Sequence, residues 1–361
     1  MNERKPGSEP NRQKPGSEPN QEEAENRALT PLFVVPFFLA LPAFAQTPPS
    51  EATVAAHVEE AKRLAGPDLT ALMVLCKPAP STRPSQAQVD AGVLAQIRRA
   101  APAPGRAFEN LYFVGAAWVS AWAIKTPEGI ILIDALNNKD EAAALIERGM
   151  PKVGLDPKDI KYIIVTHAHG DHYGGATYLA EKYKARVVMS DEDWKQTEGK
   201  LEFQSGWWGP VPKRDVTVND GDKVTLGGAS VTTYVTPGHT LGTITPVFDV
   251  VEVKENKRNV HHVMLWGGTA FNFGKDVPRL DKYIAAAGRM AKLAEEQKWD
   301  VMLSNHAGYD GTVAKLETLK KLGGSGSGQP NPFVLGTYQV VRGLGVMTEC
   351  ARAQKDRFLL N

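Results

Sequence analysis

The sequence has little cysteine and no excess of charge of either sign. Its 361 residues include only two cysteines, which excludes a disulfide-rich scaffold and a cluster of thiolate metal ligands. Lysine and arginine number 42 against 41 aspartates and glutamates, a formal net charge of +1. This balance provides neither a basic surface for nucleic-acid phosphates nor an acidic tail. We therefore predict that the protein has no nucleic-acid partner.

A membrane-spanning apolar run is also missing near the start of the chain. The apolar stretch 32–45 has 14 residues, whereas a transmembrane helix needs about 20. It ends in Ala43-Phe44-Ala45, the small-x-small pattern of a signal-peptidase site, and the polar repeats in 1–27 predict a disordered extension. We predict a signal peptide over 28–45, cleavage after Ala45, and a periplasmic or secreted mature protein without membrane contact. The alternative is a buried or surface-docked apolar segment.

The two cysteines lie near opposite ends of the mature chain. In an oxidising compartment, a bond between Cys76 and Cys350 would tie the two terminal extensions together. The alternative is a pair of buried, unbonded thiols.

The middle of the chain alternates between strand and helix patterns. Strands are predicted over 117–125, 130–134 and 160–166, and the first helix over 139–150. The succession of strands, helix and strands occurs twice, which predicts one α/β domain over 108–322. The flanking parts are an N-terminal extension packed on the core (46–107) and a linker with a C-terminal helix (323–361).

Potential metal ligands follow three of the predicted strands. The first strand end carries His167-Ala-His169-Gly-Asp171-His172, and three imidazoles with a carboxylate are ligands that borderline divalent metals prefer. His239 follows a second strand in Thr-Pro-Gly-His-Thr, and His306 follows a third in Ser-Asn-His. These five histidines and one aspartate suffice for two metals with three protein ligands each. Three protein ligands leave a position open, which is typical of catalytic zinc.

These motifs resemble the metallo-β-lactamase superfamily, whose fold is an αββα sandwich. The resemblance covers about residues 108–322. It implies two zinc ions per chain, the first held by His167, His169 and His239 and the second by Asp171, His172 and His306.

The position between the second and third motifs separates the branches of that superfamily. Glyoxalase-type hydrolases and lactonases have Gly-Asp there, and one β-lactamase subclass has a cysteine. This chain has Gly267-Gly268-Thr269, and the nearest acid is Asp276. The pattern is similar to the third subclass of class B β-lactamases. It implies a monomeric zinc hydrolase that opens the β-lactam ring of small-molecule antibiotics. The alternative is a hydrolase of the same fold acting on a lactone, thioester or phosphodiester.

The expected mechanism uses the metals, because the sequence contains no Ser-x-x-Lys or Gly-x-Ser-x-Gly motif for a covalent acyl-enzyme. A metal-activated hydroxide would attack the amide carbonyl directly. Asp171 is predicted to be both a ligand and the catalytic residue that orients the attacking water.

Five further residues are candidates for substrate binding: Thr269, Asn272, Asn305, Trp207 and Trp208. The two tryptophans lie in a Gly/Pro-rich loop, where they would form a wall for an apolar part of the substrate or, alternatively, local core. His261 and His262 are consecutive on a predicted hairpin strand, so they face opposite sides and are interpreted as structural or solvated.

Overall fold

Two β-sheets form the centre of the protein. The structure, a computed structural model, describes residues 48–325 and 327–360, so the predicted extension over 1–27 and signal peptide over 28–45 lie outside the described residues. Within the described part, no helix is both long and apolar enough to span a membrane.

The first sheet has seven strands in sequence order, and the second has five strands in the order β12-β11-β10-β9-β8. The strands of the first sheet are β1 (Gly105–Phe108), β2 (Leu111–Phe113), β3 (Trp122–Thr126), β4 (Gly129–Ile133), β5 (Ile160–Ile164), β6 (Arg186–Ser190) and β7 (Val216–Val218). Those of the second are β8 (Asp222–Leu226), β9 (Ala229–Val235), β10 (Ile244–Lys254), β11 (Lys257–Trp266) and β12 (Val301–Ser304).

Helices cover the outer faces of both sheets. They are α1 (Glu51–Ala65), α2 (Gln86–Ile97), α3 (Lys139–Glu141), α4 (Gly170–Tyr173), α5 (Ala176–Tyr183), α6 (Asp191–Glu198), α7 (Val277–Gln297), α8 (Ala307–Asp310), α9 (Thr312–Lys321) and α10 (Thr337–Leu360). Short 3₁₀ segments span Thr70–Cys76, Met150–Val153 and Pro157–Asp159.

Alternation along the strands explains the layers. In β4, Ile131 and Ile133 belong to the buried cluster that also contains Phe248 and Leu265 of the second sheet. The residues between and before them, Leu132 and Ile130, point to the opposite face and join a separate cluster with the helices. Each sheet is therefore apolar on both sides, and the predicted αββα sandwich is confirmed.

The terminal extensions form part of one helical layer. Helix α10 packs on α1 and α7, and the 3₁₀ segment Thr70–Cys76 lies against α10. Cys76 and Cys350 are bonded across 274 residues of sequence, which confirms the pairing expected from an oxidising compartment.

Two predicted elements have different boundaries. The helix predicted over 139–150 is α3 followed by the π-helical segment Ala142–Glu147, in which Arg148 N donates to Ala143 O. The strand predicted over 117–125 begins only at Trp122, because the preceding residues turn back and Ala116 N donates to Val119 O. This turn allows Val119 to form a β-bridge with His306.

Candidate metal centre

The six predicted ligands lie at one edge of the sandwich, where strands of both sheets end. His167 and His169 follow β5, and Asp171 and His172 lie in α4. His239 lies between β9 and β10, and His306 directly precedes α8. All six side chains are buried.

The first cluster consists of His167, His169 and His239. His167 Nε2 lies 3.1 Å from His169 Nδ1 and 3.1 Å from His239 Nε2. Three nitrogens bound tetrahedrally to one zinc at about 2.0–2.1 Å would be about 3.3 Å apart. The spacing of these nitrogens therefore fits one such ion.

The second cluster consists of Asp171, His172 and His306. His172 Nε2 lies 3.2 Å from Asp171 Oδ2 and 3.3 Å from His306 Nε2, and the third side of this triangle is 3.7 Å. The clusters adjoin, because the ligand atoms of His167, Asp171 and His172 also lie within 4.8 Å of one another.

The hydrogen bonds of the His167 and His239 rings show that the Nε2 atoms of these two residues direct lone pairs at each other. His167 Nδ1 lies 2.7 Å from Gly267 O, and His239 Nδ1 lies 2.7 Å from Ala270 O. A carbonyl only accepts, so each Nδ1 must donate and each Nε2 of the neutral ring is unprotonated. Two buried lone pairs directed at each other need a cation between them. The residues present therefore fit a divalent metal.

Burial and neighbouring charges shift the pKa values of the two clusters differently. Burial, together with the neighbouring imidazoles, holds the pKa of His167 and of His239 well below the ordinary value. Burial alone would raise the pKa of Asp171, but His172 and His306 hold it below the ordinary value. Burial lowers and the carboxylates Asp171 and Asp134 raise the pKa of His172, and the carboxylates prevail, to about 10.

Asp134 supports the second cluster, and the sequence analysis missed it. Its Oδ2 accepts from His172 Nδ1 at 2.8 Å and from Thr166 Oγ1 at 2.9 Å, and its Oδ1 accepts from Thr166 N at 2.7 Å. Such a partner fixes the ring orientation and tautomer of a metal-binding histidine. Only its position directly after a buried strand could have marked it.

Asp193 connects the loops that carry the first cluster. Its Oδ2 accepts from Ala168 N and from Thr240 Oγ1, each at 2.9 Å, and its Oδ1 accepts from Gly242 N at 3.1 Å. Burial raises the pKa of Asp193 to about 7 despite these hydrogen bonds. No pattern in the sequence indicates this role, because Asp193 is one of three acidic residues in the first turn of α6.

The substrate-binding candidates lie in different environments. Asn305 is buried and its Nδ2 donates to Gly267 O and Thr166 Oγ1, so it braces the loop behind His167. Thr269 is also buried, with its Oγ1 3.2 Å from Ser304 Oγ. Asn272 Oδ1 is buried and finds no hydrogen-bond partner in the described part of the chain.

The two tryptophans of the 201–210 loop differ as well. Trp208 packs directly on Gly170, where an added Cβ would lie 2.2 Å from its ring, and its Nε1 donates to Asn137 Oδ1. Gly170 separates His169 from Asp171, so Trp208 adjoins the ligand loop. Trp207 is 43% exposed and lines a separate depression beside Ile97 and Leu145.

The consecutive histidines of β11 pair with two carboxylates, one directly before β12 and one in β10. His261 Nδ1 lies 2.6 Å from Asp300 Oδ2, and His262 Nδ1 lies 2.7 Å from Asp249 Oδ1. Neither belongs to the two ligand clusters, in agreement with their interpretation as structural or solvated residues.

Comparison with known proteins shows which family and fold the chain is similar to. Residues 118–253 match the family model described as the metallo-beta-lactamase superfamily. The subclass B3 metallo-beta-lactamase BJP-1 of Bradyrhizobium japonicum is 28% identical and has a TM-score of 0.55, over 67% of this chain and 90% of that one. A beta-lactamase from Chitinophaga pinensis, also 28% identical, has a TM-score of 0.54 over 67% and 91% of the two chains.

Curated relatives carry a different name. A hydroxyacylglutathione hydrolase of Rhodopseudomonas palustris (strain BisB5) is 39% identical over 109 residues, which are 30% of this chain and 36% of the relative. The chain thus matches about a third of the length of that relative. The similarity is to a segment of that relative, while the structural likeness extends over nearly the whole of the two β-lactamases.

Proposed function

We propose that this protein is a zinc-dependent hydrolase that opens β-lactam rings. The premise is that residues 118–253 belong to the metallo-β-lactamase superfamily and that the chain has its αββα fold. The coarser part of this statement, a superfamily hydrolase with a histidine-rich metal site, follows from the family and from the buried ligand clusters. The β-lactam substrate and the number of two zinc ions are proposals.

The residue at the branch-defining position carries the choice of substrate. Gly268-Thr269 stands where glyoxalase-type hydrolases and lactonases have the aspartate that joins their two metals. Thr269 is neutral and its hydroxyl faces Ser304 Oγ at 3.2 Å. The six ligands already form two separate triads, so this arrangement supports a centre without a bridging protein carboxylate.

The ligand residues act on both reacting partners, the attacking water and the carbonyl of the substrate. When bound, the metals supply Lewis acidity and lower the pKa of a water molecule to about 7. Asp171 has its Oδ2 in the second cluster, which leaves Oδ1 free to accept a hydrogen bond from the attacking water. Burial of all six ligands keeps the site at a low dielectric, where charge on the carbonyl oxygen and the leaving nitrogen is stabilised most strongly.

Aromatic rings surround the clusters and favour a substrate with an apolar part. Trp118 stacks on His306 with the ring centroids 5.3 Å apart, and Phe203 meets His169 edge-on at 4.9 Å. Leu241, two residues after His239, is 44% exposed. These surfaces would contact an apolar substituent of the substrate.

A thioester is the second candidate substrate. The hydroxyacylglutathione hydrolases that match at 39% identity over 109 residues favour it. The absent carboxylate at Thr269 opposes it, so we rank it second. A lactone or phosphodiester remains within the same alternative.

We also propose an exported, monomeric protein. The disulfide between Cys76 and Cys350 supports an oxidising compartment, because cytosolic thiols are kept reduced. Cell fractionation with an antibody against the chain tests the location, and light scattering tests the monomer.

Parallel assays test the substrate. The purified protein is given nitrocefin, imipenem and a hydroxyacylglutathione thioester, and its metal content is measured on the same sample. We expect β-lactam turnover that disappears with EDTA and returns with zinc. Thioester turnover alone would establish the second candidate. Two bound zinc ions without turnover of any of the three would overturn both substrates and keep the metal centre.

A further inference from the structure

We propose that Glu202 and Arg279 form a positioning pair that fixes His169 and His239 at the first metal site. Glu202 lies in the 201–210 loop, and Arg279 lies in the first turn of α7. The inference rests on the first metal site of the proposed function and concerns two residues outside the ligand motifs.

Glu202 faces the outer nitrogen of His169. His169 Nδ1 is directed at His167 Nε2, so binding of a metal through Nδ1 requires the proton of His169 to be on Nε2. That nitrogen is buried, and no hydrogen-bond partner meets it in the described part of the chain; the carboxylate oxygen Glu202 Oε2 lies 3.5 Å away. A carboxylate at this point selects the Nε2-protonated tautomer and leaves Nδ1 free for a metal.

Arg279 holds this carboxylate and the His239 loop at the same time. It forms a two-armed ion pair with Glu202, in which Nη2 lies 2.8 Å from Oε2. Its guanidinium also donates to two consecutive carbonyls, from Nε to Gly238 O at 2.5 Å and from Nη2 to His239 O. One planar side chain therefore sets the distance between the partner of His169 and the backbone of His239.

The pair is built as a rigid unit. Arg279 is 3% exposed, and its guanidinium lies 4.4 Å from the centroid of the Phe273 ring. Arg83 of the N-terminal extension approaches Glu202 Oε1 at 3.4 Å and donates to Phe273 O at 3.1 Å. Arg279 and Arg83 thus both place a guanidinium beside the Glu202 carboxylate.

A purely structural ion pair would not need these contacts. The pair Arg289–Asp220 also joins α7 to a loop, with a 2.7 Å contact, but it is exposed, and the other hydrogen bond of Asp220 is accepted from Val235 N. It provides a matched control for the loss of one carboxylate charge beside an α7 arginine.

The test measures metal affinity rather than turnover. Metal-free wild type, Glu202→Gln and Asp220→Asn are titrated with Zn²⁺ against a chelating dye, and with Co²⁺ while the visible absorption is followed. We expect Glu202→Gln to weaken one of two sites by about 10- to 100-fold and to change its Co²⁺ spectrum. Asp220→Asn is expected to bind both ions as the wild type does.

Each outcome decides between the inference and its premise. Wild-type protein without bound metal would overturn the metal centre itself. Two wild-type sites with unchanged affinity in Glu202→Gln would overturn only the positioning pair, as would an equal loss in Asp220→Asn. If Glu202→Gln does not fold, Glu202→Asp replaces it, since the shorter carboxylate keeps the charge but withdraws from His169. Wild-type affinity in Glu202→Asp would also overturn the pair.

Discussion

The two ligand clusters are supported in different ways. In the first, three imidazoles face the carbonyls of Gly267 and Ala270 and the carboxylate of Glu202, which is ion-paired with Arg279. In the second, Asp171 is itself a candidate ligand, and Asp134 accepts a hydrogen bond from His172. The ion pairs of Asp134 and Asp171 in the described residues are with histidines only.

The second cluster therefore has two carboxylates that pair with its own histidines, whereas the carboxylate beside the first cluster is paired with arginine. A divalent cation gains more from an ionised carboxylate than from a neutral ring. The side chains of the first cluster are instead positioned by the 201–210 loop, by α7 and by the carbonyls of Gly267 and Ala270. We therefore expect charge-removing changes to act mainly on the second cluster and geometric changes mainly on the first.

The largest effect is expected at Asp171. In Asp171→Asn the side chain keeps its shape but loses its charge and its capacity to accept a proton from water. Turnover is expected to fall by about 10²- to 10⁴-fold, with a much smaller loss of zinc. Steady-state kinetics and metal analysis on one sample check this. A parallel fall of both quantities would mean that Asp171 acts by ligation alone.

Removal of the disulfide tests whether both clusters depend on the helices of the terminal extensions. The double change of Cys76 and Cys350 to serine is expected to lower the free energy of unfolding by about 5 kcal/mol, because it frees a 274-residue loop in the unfolded chain. Urea unfolding measures the loss. Both metal affinities should stay at the wild-type value. A selective loss at one cluster would show that the difference between them is not local.

Asp134→Asn tests the support of the second cluster, as Glu202→Gln tests that of the first. Asn tolerates the positive φ of 61° at this position, so the change removes the charge and one acceptor oxygen without straining the backbone. Affinity at the second site is expected to fall by about 10- to 100-fold while the first site is unaffected. The Zn²⁺ and Co²⁺ titrations described for Glu202→Gln would show the opposite pattern for that variant. If both variants weakened the same site, the assignment of partners to clusters would be wrong.

The smallest effect is expected at a histidine outside both clusters. The hydrogen bond to Asp300 raises the pKa of His261 against the lowering effect of burial. A raised folded-state pKa stabilises the protein fully below the unfolded value of about 6.5 and loses this effect as the pH rises through the folded value. His261→Gln should therefore lose under about 1 kcal/mol more at pH 5.5 than at pH 8.5. Urea midpoints at both values test this, and an equal loss at both would contradict it.

The candidate ligands were predictable because metal chemistry restricts residue type and strand ends restrict position. His167, His169, Asp171 and His172 are close in sequence, and His239 and His306 follow strands of the same sandwich. The structure brings all six to one edge. The strand and helix patterns likewise predicted the layers, although the π-helical turn at Ala142–Glu147 does not show in a pattern of apolar residues.

The supporting residues were not predictable in this way. Asp134, Glu202 and Arg279 are common residue types, and 76 residues lie between Glu202 and Arg279 in the sequence. Their roles depend on which atom of an imidazole they face, and side-chain direction across elements does not leave a local pattern.

The sequence by itself determined the ligand types, the αββα layers and the absence of an acid at Thr269. These follow from residue chemistry and from periodicity along single elements. Only the tertiary structure decided which nitrogen of each histidine faces the metal, because the proton on the other nitrogen is placed by groups such as Gly267 O and Asp134 that reach it from elsewhere in the chain. The tautomer of a buried ring is a property of its surroundings in the folded protein, and folding alone assembles them.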